Sequence, residues 1–212
     1  YDLKTKKLKN RITTGNWLVR KIMHIDSNQR EIIFTAGGKE KGNPYHIHLY
    51  KVNFDGNNLT SLTPEKGSHS INPSPNWNFF VTTYSTTNNP PVSILKDRNG
   101  KNLIKLSSSS SDDLKRNGWQ EPIEFNVKAR DNETDLYGIL YLPSHYNKNE
   151  KYPVLNYIYP GPQSGSVGNY SFTIARRDFQ ALAELGFIVV AVDAMGTAGR
   201  SKSFHDAYYG NM

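Results

Sequence analysis

The residues able to do chemistry concentrate in one stretch, Lys151 to Gly168 (KYPVLNYIYPGPQSGSVG). An apolar strand, Val154 to Ile158, runs into a tight turn of Tyr159, Pro160, Gly161 and Pro162. Pro and Gly closing a strand put its last side chains at the edge of a sheet. In open α/β sheets that edge is where ligands bind. The stretch is therefore the best site candidate. The ordinary alternative for Tyr159 is a buried tyrosine bonded through its hydroxyl.

Other constellations are weaker. His46 and His48 lie two apart in a strand pattern, so both would face one way. Without a third ligand nearby, a pair of surface or core histidines is favoured over a metal site. His205 and Asp206 are adjacent, whereas a catalytic pair needs a carboxylate that orients the ring from across the site. Gly196 to Gly199 follows a strand but lacks the Walker lysine and the full G-x-G-x-x-G pattern of a phosphate cradle. No G-x-S-x-G pentapeptide occurs in the sequence. The nearest match, Gly199-Arg200-Ser201-Lys202-Ser203, lacks the last glycine of a nucleophile elbow. Cysteine is absent, which excludes thiol catalysis, thiolate metal sites and disulfides. No metal site and no cofactor are expected.

The elements that must carry these residues change character along the chain. The first part repeats. Arg30–Ala36, His46–Val52 and Leu59–Thr63 are strand patterns, with an Asp55-Gly56 turn before the last. The order recurs in Asn78–Tyr84, Val92–Leu95 and Leu103–Leu106, with an Asn99-Gly100 turn. Asp-Gly and Asn-Gly between alternating strands are hairpin signals. With leading strands at Trp17–Met23 and His69–Pro73, each unit has four strands. A period of about 40–50 residues with four strands is the signature of a β-propeller blade. Two blades do not close a propeller, so the segment is expected to be the end of a longer one. Ser107 to Asp113 (SSSSSDD) reads as a polar surface loop or linker.

The rest reads differently. Glu124–Ala129 and Leu136–Leu142 form a hairpin pattern around Asp131–Asp135. The strand 154–158 is followed by a helix expected over Ile174–Leu185, with Gly186 at its C-terminal cap. Phe187–Val192 is a continuous apolar run, as in a strand buried on both faces. Strand, helix and strand make a βαβ unit with parallel pairing.

The formal net charge is +7, but Lys and Arg are spread along polar turns, densest at Lys4–Arg11. Nucleic-acid binding is not expected, since phosphate-binding and RNA motifs are absent. No apolar run approaches the ~20 residues of a membrane helix. The longest is Phe187–Val192.

KYPVLNYIYPGPQ, the helix after it, and FIVVAVDAMGTAGRSKSFHDAYYG resemble the prolyl oligopeptidase family of serine peptidases, in its dipeptidyl peptidase IV-like branch. ITTGNW (Ile12–Trp17), LYKVNFDG (Leu49–Gly56) and NPSPNWNFFVTTYS (Asn72–Ser85) resemble the family's last blades, and Tyr137–Val154 its first hydrolase hairpin. The resemblance implies β-propeller blades over 1–106, a linker over 107–123, and the N-terminal part of an α/β-hydrolase domain over 124–212.

It implies that Tyr159, in its Tyr-x-Gly-Pro turn, helps form the oxyanion hole. The family's Ser, Asp and His would all lie beyond Met212, so the chain alone is expected to be inactive, an internal piece of a larger enzyme. That enzyme would be an exopeptidase or oligopeptidase acting on short peptides, releasing dipeptides after Pro or Ala. A homodimer and a periplasmic or extracellular location follow from the same resemblance. Two alternatives stay open: a binding or scaffold propeller on a non-catalytic hydrolase-like domain, and an esterase or acylaminoacyl hydrolase.

Overall fold

The computed structural model describes residues 1–159, 161 and 163–210. Pro160 and Pro162 of the Tyr159 turn, and Asn211 and Met212, lie outside the described residues. Among the described residues, twelve strands form three sheets of four.

The first sheet is an antiparallel meander of β1 (Leu18–Asp26), β2 (Glu31–Gly37), β3 (Ile47–Asn53) and β4 (Thr60–Ser61), paired in sequence order. The second repeats this with β5 (Ser68–Pro73), β6 (Phe79–Ser85), β7 (Val92–Asp97) and β8 (Asn102–Ser108). Each has the four-stranded form expected of a propeller blade. The hairpin signals act as expected. Gly56 and Gly100 take φ of +89° and +84°. Their N–H groups donate to the carbonyls of Asn53 (2.9 Å) and Asp97 (3.0 Å). Only glycine adopts that backbone at no steric cost.

β2 is buried on both faces, which explains why its apolar run is nearly continuous. Ile33 and Leu49 pack on Leu62 and on Trp77 and Phe80 of the second unit. Phe34, Ala36, Tyr50 and Val52 form a separate cluster against Trp17 and Leu59. Polar contacts join the two sheets as well. Arg98 bridges Asp26 (3.2 Å) and Glu31 (3.0 Å). Lys96 is completely buried and pairs with Glu65 at 2.6 Å.

The segment 107–123, expected as loop and linker, is more structured than that. Ser107 and Ser108 complete β8, and a short helix, α1, covers Asp112–Arg116. Trp119 packs its ring 5.6 Å from Phe172 and donates its indole N–H to the Ile174 carbonyl at 2.8 Å. Serine is tolerated in β8 because every residue of that strand is exposed.

The third sheet is mixed, in the order β11-β12-β10-β9. β9 (Ile123–Lys128) and β10 (Asp135–Tyr141) form the antiparallel hairpin. β10 pairs antiparallel with β12 (Ile188–Asp193), and β12 pairs parallel with β11 (Val154–Tyr157). The connection between β11 and β12 carries α2 (Phe179–Glu184). Here the expectation of a helix over Ile174–Leu185 is corrected. Arg177 sits at φ +51°, a left-handed conformation that breaks helical continuity. Arg176 bonds the Val167 and Ser171 carbonyls and so belongs to the loop before the helix. Phe179 and Ala183, one turn apart, bury the inner face of α2 against Ile139, Tyr141, Val189 and Ala191. Gly186 follows the helix at φ +96° and donates to the Ala183 carbonyl.

The third sheet does not own its core entirely. Tyr45, from the loop before β3, is a member of it. Its ring stacks on Tyr170 at 5.2 Å and meets Tyr137 edge-on at 6.4 Å. Glu124 of β9 accepts from Thr87 (2.6 Å) and Asn43 (3.2 Å), one residue from each blade.

Candidate active site

Tyr159 stands two residues past the C-terminal end of β11, whose neighbour β12 runs parallel. Its side chain is 42% exposed, so the buried-tyrosine alternative does not describe it. It lines a cavity of about 600 Å³ together with Gly161, Met195, Thr197, His205 and Tyr208. The backbone N–H of Tyr159 donates to Ser166 Oγ at 3.1 Å. The Tyr159 turn is thus tied back to the loop that follows it.

That loop is anchored by Asp193, the last residue of β12, which is almost wholly buried. Its carboxylate accepts the Val167 N–H at 3.1 Å and the Tyr170 hydroxyl at 3.0 Å. Burial pushes the Asp193 carboxyl above the usual range, while these donors and the Arg176 charge oppose the shift. Gly165 is required at its position, because a Cβ there would lie 2.5 Å from Asp193 Oδ1. Burial also raises the Tyr170 phenol, with the Asp193 charge adding to the effect, and pushes Tyr45 up to about 12. Both phenols are therefore neutral near neutral pH, and that of Tyr170 donates to Asp193.

Sequence reasoning missed this network. Its one visible signal was a single carboxylate closing an otherwise apolar strand pattern, Phe187–Val192 followed by Asp193. Ser166, Tyr170, Arg176 and Tyr45 carry no motif and meet only through the fold.

The weaker candidates fall into structural roles. Ser201 is buried and caps the N-terminus of α3 (Lys202–His205), accepting from the Phe204 N–H at 3.2 Å. It is a helix cap. Asp206, in a 3-10 turn (Asp206–Tyr208), spends its carboxylate on Lys202. Gly196, at φ +91°, lies where a Cβ would strike the Tyr208 ring, so it serves close packing.

His46 lies just ahead of β3 and His48 within it. His48 Nδ1 lies 2.7 Å from the Thr63 carbonyl, and its ring sits 5.0 Å from His69. Both His46 and His48 are buried between elements, as the core reading expected.

Residues 1–91 match the family model for the dipeptidyl peptidase IV (DPP IV) N-terminal region, and residues 173–212 that for the prolyl oligopeptidase family. The chain belongs to the prolyl oligopeptidase family, in its dipeptidyl peptidase IV-like branch. Its architecture is accordingly that of propeller blades followed by the start of an α/β-hydrolase domain.

Among similar proteins, dipeptidyl peptidase 8 of Homo sapiens is 30% identical over 216 residues, 93% of this chain and 23% of that protein. Dipeptidyl-aminopeptidase B of Aspergillus niger is 28% identical over 207 residues, 95% of this chain and 22% of that protein. The crystal structure of Porphyromonas gingivalis dipeptidyl peptidase 4 matches with a TM-score of 0.78 at 24% identity, over 99% of this chain and 29% of that one. At that identity the likeness speaks for the fold. This family member spans somewhat under a quarter of the length of the curated relatives it matches.

Proposed function

We propose that the protein carrying this chain is a serine peptidase that removes dipeptides from short peptides, cutting after Pro or Ala. The names of the similar proteins support the dipeptidyl reading. In this reading Tyr159 is an oxyanion donor. The observation that carries it is the placement of the Tyr159 side chain at the C-terminal edge of a parallel strand pair, exposed into a cavity of about 600 Å³.

Acyl transfer builds negative charge on the former carbonyl oxygen. A fixed O–H beside that oxygen helps the transition state more than the ground state. Because Tyr159 follows a sheet strand and its N–H is bonded, the donor is held before substrate arrives. The nucleophile and its His and Asp partners belong to the reading of the whole protein, and the 212-residue chain by itself is expected to hydrolyse nothing. The propeller would limit access to short peptides. A periplasmic or extracellular location and a homodimer are part of the same proposal. Light scattering of the purified full-length protein tests the homodimer.

The functional test is Tyr159→Phe in the full-length protein, assayed on a Pro-containing dipeptide anilide. Loss of one oxyanion donor should lower kcat by about 100-fold or more, with KM little changed. A wild-type protein that carries a nucleophile elbow yet turns over no peptide or ester would refute the enzyme reading and leave a binding propeller. Preference for simple acyl esters over dipeptide anilides would point to an esterase instead.

A further inference from the structure

An oxyanion donor on a turn is only as good as the turn's rigidity, because a small misplacement of a positioned group is costly. Tyr159 lies two residues past the end of β11, beyond the last paired residue of that strand, Tyr157. Its backbone is held there by the hydroxyl of Ser166, 4% exposed, which accepts the Tyr159 N–H at 3.1 Å. Ser166 is itself fixed from two sides. The N–H of the next residue, Val167, donates to the Asp193 carboxylate at 3.1 Å. The Val167 carbonyl accepts from Arg176 Nη1 at 3.2 Å, and the Ser171 carbonyl from Arg176 Nη2 at 2.9 Å. Arg176 is buried, so it is committed to this loop and is not a surface charge. The Gly165 backbone passes so close to Asp193 that any side chain would displace the anchor.

We propose that Ser166 is a positioning residue: its hydroxyl, on a loop anchored through Val167 to Asp193 at the end of β12, fixes the Tyr159 backbone and so aims the phenol. The inference rests on the reading of Tyr159 as an oxyanion donor. Ser166 touches no substrate in this account and acts only through Tyr159.

A double-mutant cycle in the full-length protein tests it, with Ser166→Ala, Tyr159→Phe and the pair, each checked for a cooperative thermal transition. Ser166→Ala alone is expected to lower kcat by about fivefold to tenfold with KM within about twofold. In the Tyr159→Phe background the same change should cost less than about twofold, since the group it positions is gone. If Ser166→Ala does not fold, the cycle is run with Ser166→Cys, which keeps the side-chain volume and weakens the acceptor.

Equal losses in both backgrounds, or no loss from Ser166→Ala while Tyr159→Phe is impaired, overturn the positioning role and leave the donor reading intact. If Tyr159→Phe itself retains full kcat, the donor reading falls and this inference falls with it.

Discussion

A phenol becomes a catalytic group by location alone: nothing in the chemistry of tyrosine separates Tyr159 from the other twelve in the chain. Its position after an apolar strand and before Pro and Gly was readable, because proline and glycine constrain the backbone wherever they stand. Asp193 was not readable as an anchor, because its donors come from Val167 and Tyr170 across a loop that no local pattern specifies. The histidines make a separate point at this scale. Burial lowers His46 and His69 to about 4. His69 contacts the Glu65 carbonyl and Thr82 and lies near His48 and Lys96, while His46 lies near Glu124, His48 and Lys66. Both rings are neutral in the fold at neutral pH. In the unfolded chain they titrate near 6.5, so that chain binds more protons between about pH 6.5 and 4. Stability from each is complete above the unfolded value and is lost as pH falls through that window, by up to about 3 kcal/mol per ring. Imidazole resonances of His46 and His69 should keep their neutral positions down to pH 5 while urea midpoints fall. Rings that titrate near 6.5 in the folded protein would contradict this.

Among elements, the two blades were largely legible, because hairpin turns with Gly and strands with period two are local signals. Two elements were not. The helix predicted from residue 174 begins five residues later, because Arg176 and Arg177 serve the preceding loop. The serine-rich segment continues β8, because cross-strand pairing to β7 decides its conformation over composition. The clip between blades was equally hidden: Glu65, after β4, pairs with Lys96 on β7. Lys96 Nζ also donates to the Leu62 carbonyl at 3.3 Å. Glu65→Ala leaves a buried, unpaired ammonium and is expected to cost about 3–5 kcal/mol, whereas Lys96→Met, which removes the charge instead, should cost clearly less. Chemical denaturation of the two variants checks the order. Equal losses would mean that packing rather than charge governs the site.

At the scale of the molecule, the blades and the α/β sheet are coupled through a shared core. Tyr45 fills space beneath the third sheet and stacks on Tyr170, the residue that donates to Asp193. Tyr45→Ala is expected to cost about 3–5 kcal/mol as a large-to-small core change. It should also lower kcat, since the loss opens a hole beside the anchor of the Tyr159 loop. Full stability and activity in that variant would show that the blades contribute nothing to the site. No sequence pattern announced this contact, because it joins residues far apart along the chain.

The central claim is that Tyr159 supplies a preorganised oxyanion donor. The most direct measurement is the steady-state kcat of Tyr159→Phe against wild type, in the full-length protein on a Pro-containing dipeptide anilide. A fall of about 100-fold or more at nearly unchanged KM is the predicted result. A variant that turns over at the wild-type rate would contradict the account.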